Sequence, residues 1–307
     1  MELIEPTYCG KEKLVATIGF FDGVHKGHQY IIEQLKQIAE DRKEKSLVIT
    51  FDVHPRKVLQ SDYQPKLLTT LPEKIYRLNT LHVDNCAVLS FTTEMAQMSA
   101  FDFMRDILKA QYNISTLLIG HDHHFGHNRN EAFSDYVRYG NELDITVVQI
   151  DRFVSQLNEN ISSSEIRRAL LSGDIYAANE MLGYAYSLEG RVVDGFKVGR
   201  KIGFPTANLH IESEEKVVPQ TGVYVVNVMV DGISYCGMLN IGSRPTLQNG
   251  ENTSIEVHII DFDKDIYNQV IQIRFLEKIR DEKKFGNLEE LISQLNEDRD
   301  YTIKKYC

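Results

Sequence analysis

Two stretches of the chain carry side chains suited to phosphate chemistry at spacings that point them toward one ligand. In TIGFFDGVHKGHQYIIEQL an apolar run passes into a glycine-containing turn and then into a helical pattern. Strand, turn and helix start in succession form an anion site, because free N–H groups and the positive end of the helix dipole face a ligand there. Phe21, Asp22 and Gly23 make the turn, and Gly23 lets backbone approach closely. His25 and His28 lie three apart at the start of the helix, so both rings can point from one face. That arrangement suits in-line displacement at phosphorus, which needs positioning and charge stabilisation without a covalent protein intermediate. Further on, ISSSEIRRAL places Ser163, Ser164 and Arg167 where a guanidinium can join backbone and hydroxyl donors around a triphosphate. Ser162 and Glu165 of the same stretch also fit a plain capping box.

The second stretch is GRVVDGFKVGRKIGFPTANL, residues 190–209. Gly195, Gly199 and Gly203 punctuate a basic run with Arg191, Lys197, Arg200 and Lys201, which describes a loop able to fold over phosphates. Thr206 and Asn208 follow Pro205 and are two apart. If that segment is extended, they share one side and can present two oxygens to Mg²⁺.

H-x-G-H after a first strand resembles the signature of the nucleotidyltransferase superfamily, and ISSSEIRRAL resembles its second phosphate-gripping motif. The resemblance implies that His25 and His28 steady charge on an α-phosphate as pyrophosphate leaves. FDVHPRKVL (51–59) and IGHDHHFGHNRN (119–130) narrow the match. With FDGVHKGH they resemble the adenylyltransferase half of prokaryotic bifunctional riboflavin kinase/FAD synthetases. Its third motif, approximately G-x-D-F-x-F-G-x-x-R-x-G, becomes Gly120, Asp122, Phe125, Gly126 and Arg129 here, with His123 in the first aromatic position and Asn130 in place of the last glycine. His54, Pro55, Asp122, Phe125 and Arg129 are the flavin-side residues this implies. The residues from 190 onward, with TGVYVVNV, GMLNIGSRPT and SIEVHIIDF, resemble the flavokinase domain, with PTAN as its most specific mark. There the threonine and asparagine hold the Mg²⁺ of ATP, and a glutamate takes the proton of the ribityl 5′-hydroxyl. Glu256 stands at that position, either as this base or as an outward-pointing residue of an alternating strand. Tyr224 fits a core aromatic as readily as a loop anchor, and Arg280 fits a flavin contact or an internal one. The resemblance thus implies two activities, riboflavin to FMN and FMN to FAD, with ATP and Mg²⁺.

These residues need elements to hold them. LVATIGFF (14–21), SLVITFD (46–52), NCAVLSF (85–91), STLLIG (115–120) and DITVVQI (144–150) are near-continuous apolar strands with helical patterns between them. That pattern predicts a parallel sheet covered on both faces, in the doubly wound α/β class, with ligands at the carboxyl ends of its strands. Short helices are predicted near 163–172 and 174–182. Beyond them the runs YSLEGRVV, TGVYVVNVMV, ISYCGMLNIG, SIEVHIID and QVIQIRFLE predict a mostly antiparallel unit, with a tight hairpin at Asp231 and Gly232. Leu288, Leu291, Ile292, Leu295 and Ile303 predict a closing amphipathic helix on that unit. Together with the resemblance, the expected architecture is a Rossmann-like nucleotidyltransferase domain over 1–183 and a small antiparallel β-barrel flavokinase domain with a C-terminal helix over 184–307.

A net charge of −10 disfavours a broad nucleic-acid surface and fits small phosphorylated ligands better, and the resemblance implies ATP, riboflavin, FMN and FAD as the partners. No apolar run approaches the roughly 20 residues of a membrane span, and the beginning MELIEPTYCGKEK lacks a signal-peptide pattern, so neither a membrane nor export is expected and the cytoplasm is. Cys9, Cys86, Cys236 and Cys307 are scattered without a C-x-x-C pair, which predicts free thiols. His121, His123, His124 and His127 crowd one loop, but no cysteine lies nearby and the structural zinc spacings are not met, so no zinc site is expected.

Overall fold

Alternating apolar runs and helical stretches in the first half fold into one parallel sheet. A computed structural model describes residues 1–5, 12–59, 66–121, 125–127, 131–151, 153, 161–195, 198–244 and 252–307. Contacts divide the chain into two units, Met1–Ser163 and Ser164–Cys307. The first contains β1 (Glu2–Ile4), β2 (Leu14–Ile18), β3 (Lys45–Phe51), β4 (Asn85–Leu89), β5 (Ile114–Gly120) and β6 (Thr146–Ile150), in the spatial order β1-β4-β3-β2-β5-β6. Every neighbouring pair is parallel. Between the strands run α1 (Lys26–Arg42), α2 (Pro55–Leu59), α3 (Leu71–Thr80), α4 (Thr93–Gln97), α5 (Ala100–Asp102), a π-helical stretch Phe103–Gln111 that continues α5, and α6 (Phe133–Leu143).

Because strand side chains alternate, the sheet buries two apolar faces. Leu14, Ala16 and Ile18 of β2 pack with Leu47 and Ile49 of β3 against Phe103, Met104, Leu108 and Tyr136. Val15 and Val48 point the other way, onto Ile32, Leu35 and Ala39 of α1 and Leu78 of α3. Strand β1 has no counterpart in the expected elements. It has three residues, only Ile4 of them buried, too few to form a readable apolar run.

The second unit begins with α7 (Ser163–Leu171) and α8 (Ile175–Leu182). Then follow β7 (Ser187–Val193), α9 (Val198–Lys201), β8 (Ala207–His210), β9 (Gly222–Val230), β10 (Ile233–Arg244), β11 (Asn252–Ile259), β12 (Val270–Arg280) and α10 (Leu288–Tyr306). The six strands close into an antiparallel barrel, β10-β11-β8-β7-β12-β9. The β9–β10 hairpin turns on Asp231 (φ 49°) and Gly232 (φ 78°), the left-handed pair that a two-residue hairpin requires. Asn179 of α8 ties the helical pair to the barrel, donating to the Phe275 carbonyl at 2.9 Å and accepting from the Tyr186 N–H at 2.7 Å.

Helix α10 packs on the barrel as expected, with Leu291, Ile292 and Leu295 half-buried, although its stripe is not wholly apolar. Leu288 and Ile303 are 54% and 43% exposed, whereas Asp298 and Thr302 are buried. Asp298 and Thr302 share the face of Leu291 and Leu295, and an ion pair anchors that face. Arg280 of β12 donates to the Asp298 carboxylate through Nε at 3.0 Å and Nη2 at 2.8 Å, and the Thr302 hydroxyl donates to the Asp298 carbonyl at 2.8 Å. Glu277 adds a second anchor on the same helix, accepting from Tyr301, Lys305 and Tyr306. These hydrogen bonds hold its pKa below the ordinary range although partial burial pushes upward.

The expectation of free thiols is corrected for two cysteines. Cys236 of β10 and Cys307, just after α10, form a disulfide with Cα atoms 6.0 Å apart. Because α10 lies on β10, residues 71 apart in sequence become neighbours, which spacing along the chain could not reveal. Cys86 is a buried free thiol, and Cys9 lies outside the described residues.

The Arg280–Asp298 pair yields a stability prediction. Asp298→Ala leaves a largely buried guanidinium without its carboxylate, and should destabilise the second unit by about 2–3 kcal/mol in chemical denaturation, discounted for the partial exposure of Arg280. An unchanged denaturation midpoint would remove the pair from its anchoring role.

Candidate functional sites

In the first unit, the turn after β2 lies at the carboxyl end of the sheet and is held in conformations side chains resist. Phe21 (φ 53°), Gly23 (φ 78°) and Val24 (φ 37°) are all left-handed, and for the β-branched Val24 this is a strained state. Buried polar groups fix the turn from behind. The Asp22 carboxylate accepts from the backbone N–H groups of Leu68 and Thr69 at 2.9 and 3.1 Å, and the Gly23 N–H donates to the Thr69 hydroxyl at 3.0 Å. Asp22 is thus turned inward, where it shapes the turn without setting a negative charge toward a phosphate. Gln29 and Ser163 hold the Val24 and Asp22 carbonyls at 2.8 and 2.9 Å.

His25 precedes α1, and its Nδ1 accepts the N–H of His28 at 3.4 Å as the helix N-cap. As an acceptor Nδ1 carries no proton, so Nε2 is the donor of the neutral ring. The two imidazoles stack with centroids 3.6 Å apart, and Phe21 meets the edge of His28 at 5.1 Å. The expected histidine pair is therefore brought together at the amino end of a 17-residue helix. Ser163 joins this turn through the Asp22 carbonyl; Ser164 and Arg167 lie farther along α7, in the second unit.

On the expected flavin side, His54 meets Phe20 edge-on at 4.6 Å and accepts the Arg56 N–H at 3.1 Å through Nδ1, while Pro55 opens α2. Phe125 is held at both ends of its peptide by Tyr136, whose hydroxyl accepts its N–H at 3.0 Å and donates to its carbonyl at 2.9 Å. Gly126 follows with φ 98°, and a Cβ there would strike the Ala100 backbone at 2.8 Å. Asp122, His123, His124, Arg129 and Asn130 lie outside the described residues.

Sequence reasoning overlooked Lys74. It is only 2% exposed on α3, and its Nζ donates to the carbonyls of Phe20 at 3.0 Å and Phe51 at 2.8 Å. These carbonyls lie just past β2 and at the end of β3, so one ammonium joins two chain segments that build the site. Within LPEKIYRL it reads as a solvated helix lysine; only the sheet order, which sets β2 beside β3, reveals its partners. Burial lowers its pKa to about 8, against the opposing pull of Asp22, Cys86 and Asp52.

In the second unit, the site forms where β8 enters the barrel. Asn208 lies between Val193 of β7 and Glu256 of β11 in the strand register. The Thr206 hydroxyl reaches the Glu256 carboxylate at 3.5 Å, so Thr206, Asn208 and Glu256 are brought together as expected. Two glycines let the preceding loop lie on this group. A Cβ at Gly195 would collide with the Asn208 side-chain amide, and one at Gly199 with the Phe204 carbonyl. Gly203, at φ 85°, makes the turn into Phe204, whose N–H donates back to the Gly199 carbonyl at 2.9 Å. Arg200 is exposed on α9, and Lys197 lies outside the described residues.

Tyr224 and Arg280 are engaged internally. Tyr224 is fully buried edge-on to Phe275 at 5.4 Å, its hydroxyl donates to the Gln220 carbonyl, and burial raises its pKa. Arg280 is committed to Asp298. Among the described residues no group of three or more His, Cys, Asp or Glu assembles as a protein-only metal cage. The side-chain oxygens of Thr206 and Asn208 are instead hard donors that suit a divalent cation carried largely by nucleotide phosphates.

Comparison with known proteins matches a different family model to each half of the chain. A family model described as FAD synthetase matches residues 9–165, and one described as Riboflavin kinase matches residues 182–306. The bifunctional riboflavin kinase/FMN adenylyltransferase of Listeria monocytogenes serovar 1/2a is 38% identical over 290 residues, covering 94% of this chain and 91% of the relative. The protein of the same description from Bacillus subtilis is 36% identical over 314 residues, covering 100% and 98%. A crystal structure of a Streptococcus pneumoniae protein, described as a macrolide-efflux protein, is similar over 100% of both chains with a TM-score of 0.90 and 30% identity.

The buried lysine gives the first unit a defined pH response. Between about pH 8 and 10.5 the unfolded chain retains a proton that the folded chain has released, so the stability difference between the parent and Lys74→Met should shift toward the parent as pH rises. The full shift is about 3 kcal/mol. A pH-independent difference in denaturation midpoint would mean that Lys74 titrates as an ordinary lysine.

Proposed function

This chain belongs to the bifunctional riboflavin kinase/FMN adenylyltransferase family and makes FMN and then FAD, and on that premise we propose which residues carry each step. The second unit phosphorylates riboflavin. Glu256 takes the proton of the ribityl 5′-hydroxyl as that oxygen bonds the γ-phosphorus of ATP, the bond to the β-phosphate oxygen breaks, and ADP leaves. Thr206 and Asn208 hold the divalent cation that both activities require, which we assign as Mg²⁺; when bound it screens the charge of the phosphates. Gly195, Lys197, Gly199, Arg200, Gly203 and Pro205 form the loop over ATP and flavin. Tyr224 and Arg280 support this site from within the barrel wall and the α10 anchor. The observation that carries the reading is the convergence of Thr206, Asn208 and Glu256 beneath a loop whose glycines lie directly on them.

FMN formed there is adenylylated at the first site. An FMN phosphate oxygen bonds the α-phosphorus of a second ATP, and pyrophosphate departs. His25 and His28, with the N–H groups of the turn Phe21, Asp22 and Gly23, stabilise the charge that develops. Ser163, Ser164 and Arg167 complete the phosphate grip, and His54, Pro55, Asp122, Phe125 and Arg129 face the flavin. We set the functional boundary between 183 and 184, which keeps the ISSSEIRRAL motif with the activity it serves. Small molecules are the partners, and the cytoplasm, where ATP is supplied, is the place of work. The efflux description of the pneumococcal structure remains with that protein; among the described residues, no helix is long and apolar enough to cross a membrane.

Separate sites predict separable losses. With riboflavin, ATP and Mg²⁺ and products resolved over time, Asn208→Ala or Glu256→Gln should cut FMN formation by at least about 100-fold while FAD still forms from supplied FMN. His28→Ala should abolish FAD and leave FMN formation at the parent rate. Equal loss of both products in any one variant would contradict two independent sites.

A further inference from the structure

Strand β8 is held to β11 by only two register pairs, Asn208 with Glu256 and Ala207 with Val257. Continued by one residue, the same register would set Thr206 opposite His258, but the ladder has ended there. Pro205, next in line, has no N–H to offer. Thr206 therefore stands at a frayed strand end, although it must hold its hydroxyl near Glu256. The imidazole of His258 occupies the place where the ladder stops. Its Nδ1 lies 2.8 Å from the Pro205 carbonyl, and its ring meets Phe204 edge-on with centroids 5.2 Å apart. His258 is two residues from Glu256, so both side chains leave β11 on the same face.

We propose that His258 is a positioning residue of the riboflavin kinase site, extending the β8–β11 ladder with a side-chain hydrogen bond to the Pro205 carbonyl that fixes Thr206 against Glu256. A carbonyl can only accept, so Nδ1 carries the proton of that bond. Burial, with Arg299, outweighs the opposing pull of the Pro205 hydrogen bond and of Asp261 and keeps the imidazole pKa below its ordinary value, which favours the singly protonated ring at neutral pH. That proton is on Nδ1, leaving Nε2 bare. Arg299 of α10 lies over the opposite partner of the ring contact, with its guanidinium carbon 5.8 Å from the Phe204 centroid, so the C-terminal helix backs the same segment. The inference rests on the assignment of Thr206 and Glu256 to the kinase reaction.

Two variants of the full chain separate the hydrogen bond from ring packing. Asn at 258 places an N–H donor where Nδ1 stands, whereas Leu fills space without a donor. His258→Leu should lower kcat for FMN formation about tenfold or more, with the KM for riboflavin within twofold of the parent, and His258→Asn should recover kcat to within about threefold. FAD formation from supplied FMN should be unchanged in both. The nitrogen NMR shifts of His258 in the parent protein provide a readout that needs no variant to fold, and should report Nδ1 protonated and Nε2 bare at neutral pH. An Nε2–H tautomer would overturn the proposal, as would parent-like kcat in His258→Leu, or an equal loss in both variants at equal melting temperature. If Glu256→Gln kept full kinase activity, the underlying site assignment would fail instead, a result distinct from each of these.

Discussion

Tight turns that bring backbone N–H groups together need conformations that side chains oppose, and both candidate sites are organised around that constraint. In the first unit, Phe21, Gly23 and Val24 occupy the left-handed region within four residues. In the second, Gly203 does so, while Gly195 and Gly199 have no side chain where Asn208 and Phe204 press in. Such conformations persist only when the surroundings over-determine them. Around the first turn the buried Asp22, Thr69 and Lys74 supply that determination.

The two halves meet the requirement by different means. The parallel sheet ends its strands side by side, so one deeply placed group can serve several of them. Asp22 gathers the N–H groups of residues 68 and 69, and Lys74 gathers the carbonyls of Phe20 and Phe51. Opposite charges thus sit behind the same turn, and the acid that might have faced the ligand is spent on the scaffold. The barrel lacks such a common end. Its site is set by strand register, which places Asn208 between β7 and β11 and aligns Glu256 with it.

Much of this was legible in the sequence because it rests on local patterns. Strands β2 to β6 and the five longer barrel strands appear as apolar runs, the hairpin at Asp231 and Gly232 as a turn dipeptide, and His25, His28, Thr206, Asn208 and Glu256 as motif residues. What stayed hidden depends on contacts between distant segments. Lys74 looks like any helical lysine until sheet order sets its two carbonyls together, and the Cys236–Cys307 bridge exists only because α10 returns to β10. Strand β1 was too short for its pattern to register. On α10 periodicity found Leu291, Ile292 and Leu295, which are half-buried, but not Asp298, which shares their face and meets Arg280 from a distant strand, while Leu288 and Ile303 stay exposed.

That ion pair also bears on the segment leading to Thr206 and Asn208. Once Asp298 is fixed on Arg280, Arg299, the next residue on α10, comes to lie over Phe204, the residue that leads into Pro205 and Thr206. The helix is held again at its far end, by Glu277 on Tyr301, Lys305 and Tyr306 and by the bridge from Cys236 to Cys307. Anchors along both halves of α10 leave it little freedom to shift by a turn, so the Arg299–Phe204 contact keeps its place. An element that touches none of Thr206, Asn208 or Glu256 in the described contacts therefore constrains the segment that presents two of them. Among the acids of α10 Asp298 is the buried one, and its directional pairing with Arg280 helps fix which residue of the helix meets Phe204, a task that non-directional apolar contacts perform poorly.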